Sequence, residues 1–378
     1  MIRLRPVAIF SKAAITLTIL TLVLSGCSDS KKTTKDAGED IEHLKGVITF
    51  QIGDVQVQRP DQDFAPLSIS DKVTRGDVIR TGANSQVTIQ VSDMAVVKIL
   101  ANSLVEVQAL FGKDEGTIYA KDGKVLTKMN KLVKGQSFNV KTPTAVASVR
   151  GTEFMASVEN GKSTVAVKEG KVAVRMRKEQ PVDAVSADTL ADDMAIDPGA
   201  EEFIGEEIVL EKGKAAEVSK EDVDKAEEQI KKTEKLKEEG KEVPVEEAKP
   251  EIKVREIAKS EELTIEKVSI VAVVPEAEKK TKEELVEIQK PVVEKEKKID
   301  NTIKVEEKKE EVQKLIKKEN RTEKEIKQVF QRIDEISLYN GRVVRGAIIN
   351  RGRTYSVLTT NGTIKVPESQ IKSVRVIR

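Results

Sequence analysis

Few residues in this chain of 378 are equipped for chemistry, and their types narrow the choice at once. There is one cysteine, Cys27, and one histidine, His43. Such a pair gives no internal disulfide, no zinc site and no Cys/His nucleophilic couple. No nucleophile stands with a base, and no metal cluster or phosphate-cradling loop is legible, so the expectation is a non-enzyme without metal or cofactor. Lys plus Arg number 65 and Asp plus Glu 64, a net charge of +1. That balance gives no electrostatic case for nucleic acid. The most informative stretch is residues 138–154, FNVKTPTAVASVRGTEF. Phe138, Val140 and Val149 alternate with polar neighbours as half-buried strands do, and Thr142-Pro143 forces an extended or turning backbone between them. Arg150 sits between Val149 and Gly151 with Glu153 close by. A guanidinium at the edge of a core must find a carboxylate, and Gly151 lets the chain turn or approach another strand.

The amino terminus has its own chemistry. Arg3, Arg5 and Lys12 precede an uncharged run over 13–24 that ends in Leu24-Ser25-Gly26-Cys27. A basic region, a short apolar region and small residues form the pattern of a signal peptide, too short for a comfortable membrane span. Its end resembles the bacterial lipobox, which implies that Cys27 becomes the acylated first residue (diacylglycerol, then palmitate or a similar chain). Two or three acyl chains anchor stably, at about 0.8 kcal/mol per buried methylene. The expected membrane partner is therefore reached through lipid on Cys27, with residues 1–26 removed and 27–43 a polar tether.

The elements that follow are read from alternation and turn residues. Short strands are expected at 46–50, 55–58, 87–91, 96–100, 104–107, 117–120, 124–129, 137–141, 153–158, 164–168 and 171–175. Asp122-Gly123 and Asn160-Gly161 read as hairpin turns, and Glu169-Gly170 as a further reversal. Many short strands at this spacing imply a sandwich, barrel or solenoid.

The order of motifs resembles the FecR domain. It is carried by Gly46-Val47, Gly53-Asp54-Val55, Phe64-Ala65-Pro66-Leu67, the run Arg75-Gly76-Asp77-Val78-Ile79-Arg80-Thr81-Gly82-Ala83-Asn84-Ser85, and Thr142-Pro143-Thr144-Ala145-Val146-Ala147-Ser148-Val149-Arg150-Gly151-Thr152-Glu153-Phe154. The resemblance spans roughly residues 46–175 and implies a right-handed β-solenoid over a 44–178 domain, with Gly76, Gly82 and Gly151 at corners. It implies a structural role for Gly76, Asp77, Thr81, Gly82, Thr142, Pro143, Arg150, Gly151, Thr152 and Phe154. Family members relay the state of an outer-membrane transporter to a sigma factor through a cytoplasmic segment and a membrane helix. In this chain the lipobox stands where those would be, and Phe64 replaces the usual Trp.

Beyond residue 178 the composition shifts: 34% of all residues are charged and only 3% aromatic, so the whole length is not one packed core. Residues 179–218 read as an acidic loop with a possible last strand, and 219–304 as a Lys/Glu-rich linker, partly helical or disordered, broken by Pro244, Pro250, Pro275 and Pro291. Capping boxes at Ser219–Asp222 and Thr281–Glu284 mark helix starts. A helix is expected over 305–334, with Val312, Leu315, Ile316, Ile326, Val329, Phe330 and Ile333 on one stripe. Residues 335–378 return to alternation and predict a small SH3-like or Sm-like β-barrel, resembling a module of spirochaete envelope proteins. As a whole the chain is similar to spirochaete, especially leptospiral, FecR-domain lipoproteins. The expected role is a lipid-anchored envelope protein, at the outer membrane on its periplasmic or surface side, whose FecR-like domain binds another envelope protein. The alternative is a tether whose terminal barrel contacts membrane or peptidoglycan.

Overall fold

Alternating apolar and polar residues make strands whose apolar sides must be covered, and this chain covers them by folding strands over one another. The computed structural model describes residues 45–110, 115–130, 136–149, 151–178, 203–238 and 252–377. The strands run β1 (Gly46–Ile52), β2 (Val55–Gln58), β3 (Phe64–Pro66), β4 (Lys72–Val73), β5 (Val78–Thr81), β6 (Gln86–Val91), β7 (Ala95–Ile99) and β8 (Leu104–Ala109). Then come β9 (Glu115–Met129), β10 (Ser137–Lys141), β11 (Ala145–Val149), β12 (Glu153–Glu159), β13 (Lys162–Glu169), β14 (Lys171–Arg177), β15 (Phe203–Glu211), β16 (Lys214–Ser219) and β17 (Lys253–Glu256).

They form one 17-stranded system that divides into two layers joined by β9. The first layer is ordered β1-β6-β7-β9-β12-β13-β16-β17, with β4 beside β1. The second is ordered β3-β2-β5-β8-β9-β10-β11-β14-β15. Between them lies the main core, in which Ile48, Ile89, Val97, Val125 and Phe154 of the first layer join Val57, Ile79, Val107, Ile118 and Val140 of the second. The chain crosses repeatedly from one layer to the other, as the expected solenoid would require. The neighbours, however, are antiparallel in every described ladder except β9 with β10. A solenoid stacks parallel strands turn upon turn, so the architecture is mainly β but not that coil.

Three local expectations change with this arrangement. Gly123, at φ +86°, does not close a hairpin: it lies within the 15-residue β9, where the strand passes from one layer to the other. Gly170 likewise carries the chain from β13 in the first layer to β14 in the second. Asn160 and Gly161, at φ +52° and +72°, do make the two-residue turn between β12 and β13. Gly76 and Gly151 have positive φ, but Gly82 does not; in that corner Asn84 takes the left-handed conformation at φ +54°.

The segment read as a linker is folded over much of its length. It holds α1 (Lys220–Glu238), β17, α2 (Lys259–Ser269) and the first part of α3 (Lys282–Lys317), with α4 (Glu323–Phe330) beyond it. Both predicted capping boxes form: Ser219 Oγ accepts from Asp222 N at 3.2 Å, and Thr281 Oγ1 from Glu284 N at 3.3 Å. Pro291 does not end α3, a helix of 36 residues. Its missing N–H and its ring cost about 3 kcal/mol in a helix interior, offset by burial of Leu285 and Val292 on either side. The helix expected over 305–334 is instead the end of α3 and a separate α4, because Lys318–Arg321 offer no apolar residue to carry the stripe. Ile333 already begins the next strand.

The carboxy-terminal sheet comprises β18 (Ile333–Leu338), β19 (Val343–Asn350), β20 (Thr354–Thr359), β21 (Gly362–Pro367) and β22 (Ile371–Ile377), ordered β21-β20-β19-β18-β22. A meander whose last strand returns beside its first suits a small barrel. No ladder joins β21 to β22 among the described residues, so the sheet is five-stranded and not closed. Leu315 of α3 and Ile326 and Val329 of α4 pack with Ile333, Ala347 and Leu358.

Candidate functional site

The predicted motif residues do not converge on one cleft; they build corners and core. At the first corner Asp77, fully buried, accepts from Thr74 N at 2.8 Å and from Arg59 Nη1 at 3.1 Å, while Gly76 N donates to Val107 O. Beside it is an open depression of about 480 Å³ lined by residues 58–63, Gly76 and Val78. Thr81 ties a second corner: its hydroxyl donates to Leu100 O at 2.6 Å and accepts from Ser103 N at 2.9 Å. In a third, the Thr142 hydroxyl spans the turn at Pro143, donating to Ala145 O at 2.8 Å and accepting from Ala145 N at 3.0 Å. Thr152, buried beside Gly151, gives its carbonyl to Met129 N at 2.9 Å, and Phe154 is wholly inside the main core. Arg150 and the lipobox residues Leu24, Ser25, Gly26 and Cys27 lie outside the described residues.

One corner device escaped the sequence reading although its signal is a plain repeat, Ala83-Asn84-Ser85 and Ala101-Asn102-Ser103. Both Asn residues sit at φ +54°. The Ser85 hydroxyl accepts from Asp54 N at 2.9 Å and the Ser103 hydroxyl from Lys124 N at 3.1 Å, the residues just after Gly53 and Gly123. A Cβ on Gly53 or Gly123 would overlap the serine that caps its neighbour, so glycine is required for close approach as well as for φ.

The feature least like a passive scaffold is the outer face of the first layer. Register places Phe50, Thr88, Lys98, Leu126, Met155, Ala166 and Ala215 in one row across seven strands. α2 and α3 lie over it. Ile265, Val268 and Val292 pack with Val96, Leu126, Met155, Ala166 and Ala215, and Leu285 packs with Val47 and Val274. Within this cover Lys98 has 0% exposure and is paired with Glu296 of α3, exposed 4%. Gln86 donates to the other Glu296 oxygen at 2.6 Å, and the Phe50 ring centroid lies 4.6 Å from the Lys98 ammonium. Gln90 grips the chain between the helices, accepting from Val274 N at 2.9 Å and donating to Val274 O at 2.7 Å.

Burial lowers the Lys98 pKa; Glu296 and Asp300 oppose that shift, and Lys267 adds to it. A buried cation of this kind depends on its partner, since water no longer solvates it. Among the described residues no group of three His, Cys, Asp or Glu is placed to hold a metal. The arrangement joins the FecR-like layers to a helix almost two hundred residues later in the chain. No described helix is long and apolar enough to cross a membrane.

Comparison with known proteins agrees with the corner motifs. No curated protein matches. Two crystal structures of a protein assigned as an anti-sigma factor from Parabacteroides distasonis ATCC 8503 are similar at 18% identity and a TM-score of 0.27. The match covers 38% of this chain and 54% of theirs, so the chain spans about half their length, and a score that low carries no argument. The FecR protein family matches residues 77–173, from the buried Asp77 to Ala173 in β14. The chain therefore contains a FecR domain, and β1–β4 before it and β15–β17 after it extend the same two layers.

Proposed function

We propose that this chain is a lipid-anchored, non-catalytic protein of the cell envelope whose FecR domain binds another envelope protein in a sensing, signalling or structural role. The observation that carries it is the FecR domain at 77–173. Its described motif residues are occupied in corners and core, which leaves the outer surfaces of the layers for a partner. The lipobox ending at Cys27 supports attachment through lipid, at the outer membrane on its periplasmic or surface side.

A second reading, an envelope tether, is favoured by one specific feature. β22 is an edge strand with Lys372, Ser373, Val374, Arg375 and Val376 all exposed. A strand both basic and apolar on its open side suits an anionic lipid surface or cell wall. Photo-crosslinking in intact cells, using the full chain with probes in β15 and in β22, separates the two. A single envelope protein captured through β15 supports the first reading. Crosslinks confined to β22 and to lipid or peptidoglycan overturn it in favour of the tether. Cys27→Ala should leave the precursor unprocessed and the protein released from membranes; normal processing and retention would sink the lipid anchor.

A further inference from the structure

We propose that the outer face of the first layer is a helix-binding groove, filled in cis by the first half of α3, which it exchanges for an amphipathic helix of a partner carrying a carboxylate in place of Glu296. The inference rests on the reading that the domain binds another protein, and gives that partner a chemical form. The buried residues Leu285, Gln289, Val292, Glu296 and Ile303, with half-buried Ile299, are spaced by alternating steps of four and three. That is the seam of a packed helix, with two polar members. The groove reads both kinds of member. Val47 and Val96 meet the apolar ones, and Lys98 and Gln86 meet the carboxylate. Lys98 has no exposure to water, so an occupant without an acid at that point strands a buried cation.

The grip on this half of α3 is mixed: Leu285 and Val292 are buried and Asp300 pairs with Lys267 of α2, but several polar groups beside them are unsatisfied. The Thr49 and Thr88 hydroxyls and both amide atoms of Gln289 are buried without a hydrogen-bond partner among the described residues. Pro291 removes one donor from the helix ladder. A buried ion pair contributes more to specificity than to net stability, because both charges regain water when it opens. α2 is held differently: Arg255 makes a two-pronged pair with Glu261 at 2.6 and 2.7 Å, and Ile265 and Val268 are fully buried. The far half of α3 is tied down by Glu310, which accepts from Ser260 N at 3.0 Å and from its hydroxyl at 2.8 Å. The releasable piece is therefore bounded by fixed points on both sides.

The test uses the full chain, its Glu296→Gln and Lys98→Met variants, and labelled synthetic peptides of residues 281–304 with Glu or Gln at position 296. Hydrogen exchange in Glu296→Gln should be at least tenfold faster over 282–303 and unchanged in β8, β10 and β11. That variant should bind the Glu peptide at least tenfold more tightly than the parent does, and at least tenfold more tightly than it binds the Gln peptide. Lys98→Met should erase the preference between peptides. Exchange in Glu296→Gln rising equally across β6, β7 and β12, or equal or absent binding of both peptides by Glu296→Gln, would make α3 an inseparable part of the fold and overturn the proposal. A dimer of the Glu296→Gln chain by light scattering would assign the groove to a second copy's α3 and equally overturn it. If Glu296→Gln does not fold, Val292→Ala loosens the same seam without leaving a buried charge, and its exchange and peptide binding are judged by the same outcomes. The assay needs no envelope partner, so its failure leaves the binding role standing, and failure of in-cell capture leaves the groove standing.

Discussion

On the inner face of the first layer, Ile48, Ile89, Val97, Val125, Phe154 and Val167 meet the second layer through apolar side chains. On the outer face of the same strands, Val96, Leu126 and Met155 pack against α2 and Val292, and to these apolar contacts are added an ion pair, a glutamine and two unsatisfied threonine hydroxyls. The inner contact is non-directional and grows with the area buried. The outer contact is a set of particular partners, each costly to leave alone. Both faces thus provide apolar stability, and the outer one adds selectivity for what covers it. The same contrast separates α2, anchored by apolar burial and Arg255, from the first half of α3.

The sharpest way to break this comparison is to damage the two faces equally. Phe154→Ala, on the inner face, should cost about 3–5 kcal/mol in urea unfolding and lower the midpoint for the whole domain. A loss below about 1 kcal/mol would mean that the two layers do not share one core. On the outer face, Lys98→Met leaves Glu296 buried and unpaired and should cost about 3 kcal/mol. The double variant Lys98→Met/Glu296→Leu should recover to within about 1 kcal/mol of the parent; if it is no better than the single variant, the pair is not the element that matters. At the corners, Gly123→Ala meets both strain and the Ser103 side chain, whereas Gly161→Ala meets strain alone, with nothing within 4 Å of its added Cβ. The first should lower the melting temperature clearly more than the second, whose cost is about 1–2 kcal/mol.

The smallest effect concerns the cap of α1. Burial works against ionisation of Asp222, but Lys253 and Ser219 outweigh it and bring its pKa down from 3.8 to about 2. A carboxyl with a depressed folded pKa stabilises fully above its unfolded value and loses that contribution as protons bind. Helicity of α1 should therefore hold near pH 5 and decline between about pH 4 and pH 2. Asp222→Asn should remove that step from the circular-dichroism titration; an unchanged step would assign it elsewhere.

The legibility of these features in the sequence followed their range. Capping boxes at Ser219 and Thr281 act across three residues and were readable, as was the two-residue Asn160-Gly161 turn. Asp122-Gly123 was misread because a glycine with positive φ serves a layer crossing as well as a hairpin, and only the partners of β9 distinguish them. The motif residues from Gly76 to Phe154 identified the domain, yet not that Asn84 rather than Gly82 takes the left-handed corner. The groove was the least visible. Gln86, Thr88 and Lys98 alternate with valine and isoleucine, which reads as a solvated face. Gln289 and Glu296 interrupt the α3 stripe and hide its period of four and three.

By itself the amino-acid order determined many of the longer strands, the starts of α1 and α3, and that the molecule carries FecR motifs, because each depends on neighbours a few residues away. The tertiary structure alone decided that β9 joins two antiparallel layers, that Pro291 lies inside a helix, and that Lys98 is buried beside Glu296. Polar residues of that kind satisfy one another only across 198 positions of chain. No local pattern records the match, since each half is indistinguishable from ordinary surface until the other covers it.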